Sequence, residues 1–385
     1  MGREIQRRVS SAPLDDPSVP KRIIQRRSCA PRANNETAEL AQSSPSSVII
    51  SSSAAATASA SIQESSSAKP STASSSESTK ASATSSAAPS ATSKASTNNA
   101  SSSSGTGACD LAQLFPAGQG VKQWTTCSSS DSAISLSDAT LKPTNLLKQL
   151  THNYVAAPDS VGDAMQAHYP QGSYIPSKSP RGGLSFYASG PSDVDLTTAK
   201  EATLGYRVYF PDGFQFNMGG KLPGIYGGNS ASASISCSGG SRSDECMSAR
   251  FMWRTDGAGE MYTYLPPSYD ANNAICSIAP KSECNPTYGA SVARGSFTFA
   301  TGGWTTIAER VKLNDVGQEN GELELFANGK SMFKVGGLVL RNSDAGRLRG
   351  IMMQTFFGGS TTAWASPKDQ DVYFADFSVA ITEAL

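Results

Sequence analysis

The stretch CMSARFMWRTDGAGEMYTYLP, residues 246–266, reads as two strands joined by a tight turn. Asp256-Gly257-Ala258-Gly259 supplies the turn, because these residues accept backbone conformations that bulkier side chains resist. On either side the pattern has period two, so side chains two apart share one face of a strand. Ser248, Arg250, Met252 and Arg254 therefore line one face of the first strand, and Tyr262 and Tyr264 share a face of the second. A register that brings these faces together gathers a hydroxyl, a guanidinium and two phenols on one surface. The preceding stretch FQFNMGGKLPGIYGG (214–228) adds a further polar row: Gln215, Asn217, Gly219 and Lys221. Two glycines before the lysine leave room for close approach to the backbone, and the nearby proline stiffens the chain.

The same alternation recurs in GLSFYA (183–188), TLGYRVYF (203–210), GSFTFA (295–300), WTTIAERVKLN (304–314), LRGIMMQTFFGG (348–359) and DVYFADFSVAI (371–381). In ELELFANGKSMFKV (322–335), Asn328-Gly329 sits between two alternating runs, a strong hairpin signal. DATLKPTNLLKQLTHNYV holds one or two helical turns, and Ala108 to Asp195 is expected to supply outer strands. Many short strands with regular turns predict an all-β fold, a jelly roll or concanavalin-like β-sandwich, over residues 108–385.

Residues 1–107 have a different composition. The chain of 385 residues is 17% charged and 38% hydrophobic with zero net charge, but the first quarter is mostly Ser, Thr and Ala. Such a segment buries too little apolar surface to offset chain entropy, so a disordered tail is expected: basic to about Arg32, then a Ser/Thr/Ala-rich stalk. Asn35-Glu36-Thr37 and Asn99-Ala100-Ser101 are glycosylation sequons, and the stalk composition suits O-glycans. Through Gly107 there are 11 basic and 7 acidic residues, which leaves the remainder slightly acidic. No apolar run reaches the ~18 residues of a membrane span, and nothing marks a nucleic-acid binder.

Apart from Cys29, six cysteines fall into close pairs: Cys109/Cys127, Cys237/Cys246 and Cys276/Cys284. None has zinc-site spacing, and six cysteines allow 15 pairings; sequential pairing in an oxidising compartment is the expectation. That makes the protein extracellular, although MGREIQRRVSSAPLDD carries no apolar targeting segment, so the expected leader is not in this sequence. A monomer without metal or cofactor is expected.

The chemistry follows from what the polar rows contain. No carboxylate pair stands at positions matched for glycoside hydrolysis. The two histidines, His152 and His168, lack a GxSxG elbow beside them. Lys, Arg and Tyr with Gln and Asn suit β-elimination on a uronic-acid polymer. Cations and amides neutralise the uronate carboxylate and so stabilise the enolate-like charge, and a phenol acidified by neighbouring cations works as base. The alternative is a non-catalytic carbohydrate-binding sandwich of the cell wall or matrix.

GGKLPG, then SxR, then YxY twelve residues after the arginine, with TFFGG and a closing YFxDF, resembles polysaccharide lyase family 14, from about Thr197 to the C-terminus. The resemblance implies a β-jelly roll that cleaves alginate or glucuronan, with catalytic Lys221, Ser248, Arg250, Tyr262 and Tyr264. The stalk and added cysteines are similar to secreted fungal members, and those cysteines add nothing to the mechanism. In this reading Tyr262 or Tyr264 is base and acid, while Lys221 and Arg250 neutralise the carboxylate. Ser248 touches substrate or orients a tyrosine. Gln215, Asn217 and Gln354 contact an acidic polysaccharide, and Trp253, Trp304 and Trp364 are candidates to stack on sugar rings, with core packing expected for at least two of them.

Overall fold

A computed structural model describes residues 108–385. The expected tail, its sequons and Cys29 lie outside the described residues. Two antiparallel sheets stack into a β-sandwich. The back sheet runs in the order Lys330–Leu338, Gly321–Ala327, Gly303–Lys312, Ala199–Phe210, Gln370–Ala384, Asp163–Tyr169, Asn153–Ala156, with Lys122–Thr125 also paired to Gln370–Ala384. The front sheet runs Glu283–Cys284, Ala290–Thr298, Ala258–Tyr264, Cys246–Arg254, Gly219–Lys221, Arg347–Phe357, Leu184–Ala188, Pro143–Thr144, and Gly224–Gly228 pairs with both Cys246–Arg254 and Arg347–Phe357. The segment before Asp195 thus adds strands at the rims of both sheets. No helix among the described residues is long and apolar enough to cross a membrane.

Alternation decides which side of the front sheet faces the core. Phe251 and Trp253 point inward and are fully buried with Tyr206, Phe210, Phe357 and Phe374, whereas Arg250, Met252 and Arg254 point outward. The aromatic core is closely interlocked: Trp253 meets Phe357 edge-on at 5.3 Å and Phe210 at 5.6 Å. Both expected hairpins form. Asn328 and Gly329 have φ of 48° and 75°, and Asp256 and Gly257 have 58° and 76°, the paired positive values that a tight strand reversal with native twist demands.

Cys109–Cys127, Cys237–Cys246 and Cys276–Cys284 are bonded in the structure. The first pins the segment before Lys122–Thr125 to the back sheet beside Ala380. The second ties down the loop that overhangs the front sheet.

Gly220 lies where the front sheet passes over Trp253, and a Cβ there would overlap the indole ring and crowd the Phe356 carbonyl. Backbone and a fully buried ring cannot yield cheaply, so Gly220→Ala is expected to destabilise the protein by about 2–3 kcal/mol. Urea denaturation checks this, and a midpoint equal to wild type would show that the layer has slack.

Candidate active site

The front sheet's outer face carries a groove of about 1080 Å³. Pairing across the hairpin sets Tyr262 opposite Arg250 and Tyr264 opposite Ser248. On the other side of the arginine strand, Met252 is paired to Lys221, which is itself paired to Phe356. Lys221, Arg250, Tyr262, Tyr264 and Gln354 therefore converge on one surface and line the groove, as does Trp364.

Lys221 is set by a short strand held between two others. Its Nζ lies 2.9 Å from the centroid of the Tyr262 ring and 3.1 Å from Met252 Sδ. Burial, followed by the charges of Arg254 and Arg250, pushes the amine well below its usual range. Tyr262 moves the other way: burial is the largest cause, neighbouring Tyr264 adds to it, and Arg254 opposes it without prevailing. The phenol expected to be acidified by cations is, at Tyr262, held protonated instead. Tyr264 accepts a hydrogen bond at 2.9 Å from the backbone N–H of Gly240, in the overhanging loop.

Arg250 is 3% exposed; its Nε donates to the Leu222 carbonyl at 3.2 Å and its Nη2 to the Gln354 carbonyl at 2.6 Å. Burial lowers its pKa to about 10, against support from four surrounding tyrosines, so it remains a cation at neutral pH. Two backbone carbonyls thus orient one charged group on the groove floor.

Ser248 also borders the groove, but it is fully buried and donates to the Cys237 carbonyl at 2.9 Å, so its only proton anchors the loop. The other expected residues stand elsewhere. Asn217 adopts a left-handed φ of 48° and spends its amide on the carbonyls of Ala363 and Ala365. The strand begins only at Gly219, so the expected alternating row breaks down, and Gln215 and Asn217 fall outside the groove, beside Asp256. Gln215 instead pairs its backbone with the Gln370 side chain. His168 lies on the back sheet against Asp371, and His152 contacts Asp138.

The groove also holds groups that the sequence reading passed over. Glu260 shares the face of Tyr262 and Tyr264 and is fully buried behind the groove lining, so a carboxylate does stand beside the polar row. Arg254, Arg294 and Ser291 surround it. Counting back two residues from Tyr262 would have found Glu260. Arg294 carried no such signal, because the strand register shifts between Gly259 and Met261 on its way to that arginine. Trp253, by contrast, is core, and its Nε1 donates to the Phe216 carbonyl. Among the described residues, Cys109, Cys127 and Asp376 are the cluster close enough to hold a metal, but both sulfurs are engaged in a disulfide.

A two-sheet sandwich with a groove of lysine, arginine and phenols on one face has the architecture of a polysaccharide lyase. Residues 157–377 match the polysaccharide lyase 14 model, and the chain belongs to that family. No curated protein matches the chain. Among solved structures it is similar to the marine PL-14 alginate lyase from Aplysia kurodai, with 33% identity over 60% of this chain and 87% of that one and a TM-score of 0.53. It is also similar in fold to alginate lyase vAL-1 from Chlorella virus, at 24% identity over 63% and 93% of the two chains, TM-score 0.52. A third structure, the endo-β-1,4-glucuronan lyase of the fungus Trichoderma reesei, matches at 10% identity over 62% and 91%, TM-score 0.40.

Proposed function

We propose that this enzyme cleaves a β-1,4-linked polyuronate, alginate before glucuronan, by β-elimination at Lys221 and Tyr264. The observation that carries this reading is the contact of Lys221 Nζ with the Tyr262 ring, between Arg250 and Arg254, where the amine titrates well below an ordinary lysine. A neutral amine accepts a proton and a neutral phenol donates one, so the two roles separate between two side chains.

Arg250, with the Gln354 amide, takes the uronate carboxylate and offsets the charge that builds on it as the C5 proton leaves. Lys221 removes that proton, the C5–H electrons form the C4=C5 double bond, and the C4–O bond breaks. Tyr264 protonates the departing oxygen; the Gly240 N–H on its own oxygen stabilises the phenolate that results. The proton on Lys221 then returns to Tyr264, which restores both groups. Tyr262 forms the wall against which the amine rests.

Alginate is placed first because the 33%-identical relative is an alginate lyase. Three disulfides support an extracellular location, and the serine-rich N-terminal sequence is in keeping with the secreted fungal type. The test is incubation with mannuronate-rich alginate, guluronate-rich alginate and glucuronan while recording the ultraviolet absorbance of unsaturated uronate ends. Absorbance is expected to rise on at least one alginate. No rise on any polyuronate would overturn the reading.

A further inference from the structure

Beside the reacting pair lies a carboxylate with no part in the elimination. Both oxygens of Glu260 are fully engaged: Arg254 reaches Oε1 through Nε at 2.9 Å and Nη2 at 2.7 Å, and Arg294 Nε and Ser291 Oγ reach Oε2 at 2.8 and 2.5 Å. Burying a carboxylate is costly, and packed apolar residues often stabilise a site equally well. What Glu260 supplies instead is orientation, because it locks two flexible guanidiniums into fixed planes. Within this buried cluster one carboxylate holds two guanidiniums, and both arginines line the groove. Among the described residues, the Nη1 group of neither arginine has a protein acceptor. Glu283, an exposed side chain, pairs only loosely with Arg294 at 3.8 Å. Trp364 closes the flank, 5.7 Å from the Arg254 guanidinium carbon, and the Tyr262 ring lies 5.9 Å from the same atom.

We propose that Arg254 and Arg294, positioned by Glu260, form a second carboxylate subsite for the uronate next to the one being cleaved. This rests on the lyase reading for the identity of the polymer. The Nη1 groups take the neighbouring carboxylate, displacing the loose Glu283 contact while Arg294 Nη2 stays on Ser291 Oγ at 2.9 Å, and Trp364 bounds the sugar ring. The subsite sets the register of the chain over Lys221 and makes affinity depend on consecutive acidic residues.

The experiment combines calorimetry with a saturated tetra-uronate and steady-state kinetics on the polymer. In Arg254→Ala and in Arg294→Ala the Kd and KM are expected to rise tenfold or more, and because both charges also lower the Lys221 pKa the acid limb of the rate is expected to move to higher pH. Glu260→Gln, which keeps the shape, is expected to raise KM in a variant whose circular dichroism matches wild type. Unchanged Kd and KM in both arginine variants would overturn the subsite, and an unchanged KM in folded Glu260→Gln would overturn the positioning role. Should the wild type turn over no polyuronate while the arginine variants still weaken tetra-uronate binding, the lyase reading fails and the subsite stands.

Discussion

Lys221→Met is expected to lower kcat about 10³-fold, within the usual contribution of a positioned general base, while leaving the fold intact. Methionine keeps the length and apolar stem that pack against Met252 and Tyr262. Lys221→Arg separates two roles that a simple deletion confounds. Arginine retains the positive charge but does not deprotonate near neutral pH. If the lysine served only to neutralise a carboxylate, arginine would restore much of the rate; as a base it cannot be replaced this way, and Lys221→Arg is expected to be as slow as Lys221→Met. The pH profile gives the same answer independently. Because burial and two guanidiniums lower the Lys221 pKa, the neutral amine becomes available at a pH where an exposed lysine is still charged. Rate therefore climbs with pH through that lowered value, and below it the ammonium cannot accept a proton. The acid limb is expected to vanish in whatever activity the variants keep. A Lys221→Arg enzyme with near-wild-type kcat and an intact acid limb would overturn the assignment.

The strands were legible because one face of nearly every one is buried, which writes a period-two pattern into the sequence. The convergence of Arg250 and Tyr262 was also legible, since Asp256-Gly257 fixes the register of a short hairpin. The row ending in Lys221 is shorter than its spacing predicts: Phe214 and Phe216 do pack against Phe210, but from a loop, so Gln215 and Asn217 project elsewhere. Electrostatics was the least legible level. Whether a phenol beside cations is acidified or held protonated depends on the balance of burial against charge, which no spacing rule carries. Glu309 illustrates the same limit. It occupies an inward position of its strand and accepts the Ile225 N–H at 2.6 Å, and burial raises its pKa well above the usual carboxyl range.

Deleting the Cys237–Cys246 disulfide is expected to slow turnover far more than deleting Cys109–Cys127, although stability alone predicts the reverse. Closing a loop with sequence separation 9 stabilises by ~2.6 kcal/mol, and one with separation 18 by ~3 kcal/mol. The longer loop should therefore matter at least as much for folding. Only the shorter one touches the proposed acid. The Cys237 carbonyl accepts the Ser248 hydroxyl, Gly240 donates its N–H to Tyr264, and the Arg242 guanidinium ties the same loop to the Asn285 carbonyl. Cys237 and Cys246 also pack directly with Tyr262 and Tyr264. A staple that holds a hydrogen-bond donor on the proposed acid would give these cysteines a part in turnover, against the expectation that they add nothing to the mechanism. Freed of its staple, the loop loses the donor's alignment, and the phenolate formed on elimination loses its partner. Cys237→Ala/Cys246→Ala is expected to reduce kcat by about 10–100-fold, in line with losing one preorganised donor. KM should change little, because Arg250 and Gln354 keep their places. The decisive measurement is kcat for both double variants at a temperature where circular dichroism shows each fully folded; equal rates would mean that the staple serves stability alone.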